Sequence, residues 1–274
     1  MSKMAKNLDK DGLKSIAFKY DLFFIDIWGV IHDGVQLHQN SIKALNELEK
    51  LNKEYVLLTN APRPNETVSK YLKKLGLDEK KSNKVFTSGQ AALNFFNKNL
   101  NNSRFYHIGP SKDYDLFDSF KKNKSSKIND ADFLLCTGFF DNHEDDLQYY
   151  KNLLKNKTSI KMICTNPDLV IDRGGQREYC AGKIAQIFEN IGGKVEYFGK
   201  PYPPVYKEAA NIKNKKILCI GDNLNTDIKG ANVQDFESIL ISNGVHFKEI
   251  TDDPKKLFKK YNSYANYIQS EFRW

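Results

Sequence analysis

Four short segments place chemically useful side chains directly after apolar runs. Asp26 closes the run Leu22–Ile25, Thr59 and Asn60 close Val56–Leu58, Lys200 follows Tyr197–Gly199, and Asp222 follows Ile217–Gly221. Singly, an Asp, Asn or Gly after a strand is ordinary turn chemistry. In combination, two carboxylates, a hydroxyl beside an amide and one lysine meet the needs of metal-assisted phosphoryl transfer. A carboxylate can attack phosphorus covalently and so split hydrolysis into two steps.

Such residues converge only if the apolar runs lie parallel in one sheet. The segments Leu22–Asp26, Ser41–Asn52, Tyr55–Thr59, Asn65–Leu75 and Val85–Thr87 read as βαβαβ. Continuous apolar strands alternating with helices predict a parallel sheet covered on both faces. Ligands then collect beyond the carboxyl ends of its strands. In the first helix Ile42, Leu45, Leu48 and Leu51 share a face; in the second, Val68, Tyr71, Leu72 and Leu75 do, with Asn65 as the expected cap and Gly76 as the stop. Strands are expected again at Val195–Phe198, Ile217–Asp222 and Ser238–Ile241. Between these blocks, strands at Arg104–Ile108, Phe133–Thr137 and Met162–Thr165 and a helix near Glu144–Leu154 read as a second α/β unit inserted into the first.

Composition narrows the class. With 274 residues, 40% hydrophobic and 28% charged, the chain has the make-up of a folded globular protein. No apolar stretch approaches the roughly 20 residues of a membrane-spanning helix. The first twenty residues lack an apolar signal core, so a cytoplasmic protein with no membrane partner is expected. A net charge of +8 arises from lysines scattered along the chain, without the aromatic interleaving of a nucleic-acid surface. No nucleic-acid partner is expected, although the charge favours phosphates. Cys136, Cys164, Cys180 and Cys219 form no C-x-x-C pair and read as small buried residues.

The motifs Asp26-Ile27-Trp28-Gly29-Val30, Leu58-Thr59-Asn60-Ala61-Pro62-Arg63, Gly199-Lys200-Pro201 and Gly221-Asp222-Asn223-Leu224-Asn225-Thr226-Asp227 resemble those of the haloacid dehalogenase superfamily. Thr165-Asn166-Pro167-Asp168, ahead of a Gly-rich stretch and a helix, is similar to its class IIA branch, the NagD-like and pyridoxal-phosphatase-like enzymes. The resemblance implies a doubly wound parallel-sheet core over residues 1–89 and 194–274, with a smaller α/β cap inserted over 90–193. It implies that Asp26 is the nucleophile and that Mg²⁺ is held by Asp26, the carbonyl of Trp28 and Asp222. Asp227 would orient a metal-bound water or a loop amide, and Thr59, Asn60 and Lys200 would hold the phosphoryl oxygens. Arg63, Asn166 and Asp168 are candidate substrate contacts.

One position departs from the pattern. Most phosphatases of the superfamily carry a second Asp two residues after the nucleophile as general acid; this chain has Trp28. Loss of such a group costs about 10²–10⁴ in rate. Three readings follow: hydrolysis of phosphates with good leaving groups, an acid borrowed from His32 or Asp33, or a scaffold kept for binding a phosphorylated ligand. For His32 and Asp33 a polar Asp-Gly turn is the favoured reading. An aromatic residue here also suits the metal-independent dehalogenases, but these usually lack the acid that Asp222 supplies. The expected reaction is therefore Mg²⁺-dependent hydrolysis of a small phosphorylated metabolite through an aspartyl-phosphate. A homo-oligomer through the cap is left open.

Overall fold

A computed structural model of the chain describes residues 5–100, 102–173, 176–250 and 254–274. Along it run β1 (Lys6–Asn7), β2 (Leu22–Ile25), α1 (Gln39–Lys50), β3 (Glu54–Thr59), α2 (Asn65–Lys74), α3 (Glu79–Ser82), β4 (Val85–Thr87) and α4 (Ser88–Asn99). Then come β5 (Phe105–Ile108), β6 (Phe133–Cys136), α5 (Leu147–Leu154), β7 (Lys161–Cys164), β8 (Val170–Arg173), β9 (Gln176–Tyr179), α6 (Ala181–Asn190) and β10 (Val195–Tyr197). The chain closes with α7 (Pro203–Ala209), β11 (Ile217–Gly221), α8 (Lys229–Val233), β12 (Glu237–Ile241), α9 (Pro254–Tyr261) and β13 (Tyr267–Gln269).

Seven strands form one parallel sheet in the order β1-β13-β12-β11-β2-β3-β4. Its central strands are apolar throughout because both faces are covered. Phe23 and Ile25 point into the cluster holding Leu45, Leu48 and Leu72, whereas Leu22 and Phe24 pack with Ala91, Ala92 and Tyr206. Ile25 pairs with Ile220 on one side and Leu57 on the other, so β2, β11 and β3 end within two residues of one another. That register brings Asp26, Asp222 and Thr59 to one rim.

A second parallel sheet runs β10-β7-β6-β5, and β8 with β9 makes a separate antiparallel hairpin. Here one expectation fails. The strand at 195–197, read as opening the second core block, pairs with Met162–Cys164 of β7 instead. The βαβ turn through α6 returns the chain beside the strand it left, and three half-buried edge residues carry no signal of which sheet they join. The apolar cluster under α4 is shared: Ala91, Ala92 and Phe96 belong to it with Val56 and Leu58 from one sheet and Phe105 and Phe133 from the other.

Two helix details also differ. Pro64 occupies the cap position of α2, and the Asn65 side chain instead accepts the Thr87 amide at 2.9 Å, tying the helix to the end of β4. Leu51 and Tyr71 lie exposed rather than in the core; the Tyr71 hydroxyl donates to the Gly34 carbonyl at 2.9 Å. Gly76 ends α2 with φ +97°, as glycine allows. All four cysteines are buried and unpaired. No helix among the described residues is long and apolar enough to cross a membrane.

Candidate active site

Asp26 follows the last residue of β2, and its amide donates to the Ile220 carbonyl at 2.8 Å, locking it beside β11. The buried Lys200 reaches across from the chain after β10. Its ammonium donates to the Asp26 carboxylate, to Asp227 Oδ1 at 2.6 Å and to the Leu58 carbonyl at 2.9 Å, which uses all three of its protons. Asn60 fixes that lysine by its backbone: its Oδ1 accepts the Lys200 amide at 2.7 Å, and its Nδ2 donates to the Lys200 carbonyl at 3.0 Å. Gly199, at φ +118°, must be glycine, because an added Cβ would lie 2.5 Å from Asn60 Oδ1.

Asp222 enters from the end of β11 into a space cleared of side chains. A Cβ on Gly29 or Gly244 would fall 2.3 or 2.1 Å from Asp222 Oδ2. That oxygen accepts the Val245 amide at 2.9 Å. Asp227 lies on the π-helical turn Leu224–Ile228, and its Oδ2 accepts the Asn223 amide at 3.1 Å. One carboxylate oxygen from each of Asp26, Asp222 and Asp227 lies within 4.8 Å of the other two.

These three carboxyls are buried, and among the described residues the Lys200 ammonium pairs with two of them, Asp26 and Asp227. Burial pushes Asp26 up to about 7, Lys200 pulling it down and Asp227 pushing it up again. Asp222 is raised well above the carboxylate range by burial, Asp26 and Asp227. Lys200 is raised as well, but in its charged form: burial disfavours that charge, and Asp227, Asp26 and Asp168 outweigh burial and hold it above the usual lysine range. The surplus of negative charge, carried on hard oxygen atoms, fits a divalent cation such as Mg²⁺. Residues Asp26, Asp222 and Asp227 could hold it.

A cavity of about 660 Å³ opens on this cluster and is lined by Asp26, Trp28, Thr59, Asp168, Lys200 and Asp222 among others. A second, of about 600 Å³, shares Trp28, Thr59 and Asp168 and extends to Arg63, Asn166, Phe139 and Tyr179. The Thr59 hydroxyl accepts the Ala61 amide at 3.3 Å while facing both spaces. Asp168 enters from the inserted unit: its Oδ1 accepts from Asn60 at 3.3 Å and Asn223 at 3.5 Å. Burial raises Asp168 to about 6, against the pull of Lys200. Asn166 shapes the turn, its Oδ1 accepting the Asp168 amide at 3.1 Å. Arg63 lies at the rim in an ion pair with Asp115 at 3.0 Å. The Gly174–Gly175 pair lies outside the described residues.

The Trp28 indole packs edge-on against His32, centroids 5.0 Å apart, and beneath Gly34. His32 Nδ1 accepts the Gly34 amide at 2.8 Å, and Asp33 Oδ1 accepts from Val35 and Gln36. Both residues thus build a turn. Residues to which the sequence reading gives no role include Asn223, the Asn243–Val245 loop and Arg177, whose Nη2 donates to the Val245 carbonyl at 2.7 Å. The loop follows β12, so the rule applied to the other strand ends would have found it. Arg177 sits in a polar hairpin with no such marker.

Two family descriptions match the chain: haloacid dehalogenase-like hydrolase over residues 23–121 and a second hydrolase model of that superfamily over 197–262. D-glycerol 3-phosphate phosphatase of Mycobacterium tuberculosis is 24% identical over 85% of the chain, which spans 66% of that relative's length. A haloacid dehalogenase-like hydrolase from Brucella suis superposes with TM-score 0.80 at 28% identity, covering 94% of this chain and 97% of that one. A structure from Cytophaga hutchinsonii, described as a possible sugar phosphatase, gives 0.78 at 23% identity over 99% of both chains. The chain belongs to the haloacid dehalogenase superfamily of hydrolases.

Proposed function

We propose that this protein hydrolyses a small phosphomonoester through an aspartyl-phosphate on Asp26, with Mg²⁺ held by Asp26, the Trp28 carbonyl, Asp222 and Asp227. One observation carries the proposal: Asp26 and Asp222 emerge side by side at the bottom of a cavity, buried with Asp227 around a single lysine. When bound, the cation would neutralise the carboxylates and draw charge from the phosphoryl oxygens. Asp26 Oδ attacks phosphorus and the bond to the leaving oxygen breaks, that oxygen departing as its anion and taking its proton from water, since His32 and Asp33 are held in the turn. Thr59 would offer its hydroxyl proton to the oxygens of the transferring group, and Lys200, whose three protons are held by protein oxygens, would stabilise them by its charge, which acts most strongly in a water-poor site. Water then attacks the acyl phosphate, releasing phosphate and restoring the Asp26 carboxylate. Asn60 contributes by holding Lys200 in place, and the D-glycerol 3-phosphate phosphatase relative supports a small substrate.

The metal-independent dehalogenase reading is disfavoured by the same cluster, since a second and third buried carboxylate beside Asp26 would repel an anionic substrate unless a cation intervened. Phosphate release from 4-nitrophenyl phosphate, measured with and without Mg²⁺ for the wild type and Asp26→Asn, tests the proposal. Turnover that needs Mg²⁺ and disappears in Asp26→Asn is expected. Saturable binding of phosphorylated metabolites with no turnover by the wild type would establish a sensor instead.

A further inference from the structure

The inserted unit reaches Asp222 through one residue of the core. Arg177, on β9 of the β8–β9 hairpin, donates to the Val245 carbonyl at 2.7 Å, and the Val245 amide donates to Asp222 Oδ2 at 2.9 Å. Carbonyl and amide belong to the two planar peptide groups that meet at the Val245 Cα. Fixing one leaves only that residue's φ and ψ to aim the other. The next residue is pinned from the core side, His246 Nε2 accepting the Leu224 amide at 3.1 Å and Nδ1 meeting Glu249 at 3.0 Å. On the other flank Gly244 lies too close to Asp222 to carry a side chain. The loop is thus clamped at His246 and at the Val245 carbonyl, with its donor to Asp222 in between.

We propose that Arg177 is a positioning residue: by holding the Val245 carbonyl it aims the amide that orients Asp222 toward a divalent cation. Seating of the hairpin on the core therefore sets metal affinity. This rests on the proposed role of Asp222 in holding Mg²⁺. Charge alone predicts the reverse. A guanidinium lining the cavity repels a cation, so its removal would tighten metal binding if alignment did not matter.

Calorimetric titration of Mg²⁺ into the full-length protein, without substrate, separates these effects in wild type, Arg177→Met, Arg177→Lys and Asp222→Asn. Loss of a group that orients a metal ligand weakens binding by about 10–100-fold, and for Arg177→Met a weakening of about tenfold is expected. Arg177→Lys should weaken it too, though the charge is kept. Hydrogen exchange over residues 243–247 should rise in both variants, and kcat should recover at saturating Mg²⁺ with KM unchanged. Mg²⁺ binding equal to or tighter than wild type in Arg177→Met overturns the inference, as does a raised KM at unaltered Mg²⁺ affinity, which marks a substrate contact. If Asp222→Asn binds Mg²⁺ like the wild type, or the wild type binds none, the proposed role of Asp222 fails and the inference with it. Loss in Asp222→Asn alone, with Arg177→Met unchanged, sinks only the inference.

Discussion

The protein contains two parallel sheets with the same chain geometry and opposite chemistry at their carboxyl ends. Beyond the seven-stranded sheet stand the acids Asp26, Asp222 and Asp227, buried and facing a cavity, with Lys200 reaching in from the end of β10. Beyond the four-stranded sheet the polar groups at the strand ends satisfy one another. His107 Nε2 meets Thr137 Oγ1 at 2.8 Å, and Thr165 Oγ1 donates to the Cys136 carbonyl at 3.3 Å. Burial, with Lys124 nearby, pulls His107 down to about 3 and keeps it neutral. Asp113 is likewise raised to about 6 by burial, against a hydrogen bond from Thr137. Both sheets create a rim where backbone groups stop pairing, but among the described residues three buried acids around one lysine meet only beyond the seven-stranded sheet. The architecture supplies the location and the residues supply the function.

The sharpest way to break this contrast is to remove charge from the active rim. Asp222→Asn should lower kcat by about 10³ or more in the phosphate-release assay, because the remaining carboxylates then hold a cation poorly. Crowding the same carboxylate should act more mildly. Gly244→Ala places a methyl where Asp222 lies and should cost about 10² in kcat/KM, with a raised Mg²⁺ requirement.

A third expectation concerns pH. An acid whose pKa the fold raises stabilises the protein while protonated and loses that contribution as the pH climbs through the folded value. Asp26, raised to about 7 by burial, and Asp222, also raised by burial, therefore destabilise the metal-free protein as the pH rises from about 4 through 7. A cation that binds their ionised forms reverses this. Thermal melts should show saturating Mg²⁺ raising Tm by about 5 °C or more at pH 8 and by clearly less at pH 5.5. An equal shift at both values would contradict the buried-acid account. The smallest catalytic effect is expected at the quiet rim. His107→Ala should cost about 1–3 kcal/mol of stability, from the lost hydrogen bond to Thr137 and the packing on Phe117, while kcat stays within about twofold.

The same contrast explains what could be read from the sequence. Asp26, Thr59 and Asp222 were legible because each ends an apolar run, and the parallel register that aligns them follows from the βαβ alternation. Lys200 was found by its motif, although the strand preceding it joins the other sheet, since a three-residue edge strand carries no label of its partner. The strands β1 and β13 at one side of the larger sheet were missed because they are only two and three residues long. Asn65 was misread as a cap because its tertiary bond to Thr87 leaves no local trace. Arg177 was invisible because its role depends on a hairpin meeting a loop 68 positions later. Local periodicity reports elements, whereas contacts between the inserted unit and the core exist only after folding.

The central claim is that Asp26 takes the phosphoryl group while Asp222 helps to hold the cation beside it. The most direct measurement is peptide mass spectrometry after rapid acid quench of the protein turning over 4-nitrophenyl phosphate with Mg²⁺. A phosphoryl adduct on the peptide containing Asp26, absent in Asp26→Asn and absent without Mg²⁺, is the predicted result. Sustained turnover by Asp26→Asn, or an adduct carried by a different residue, would contradict the account.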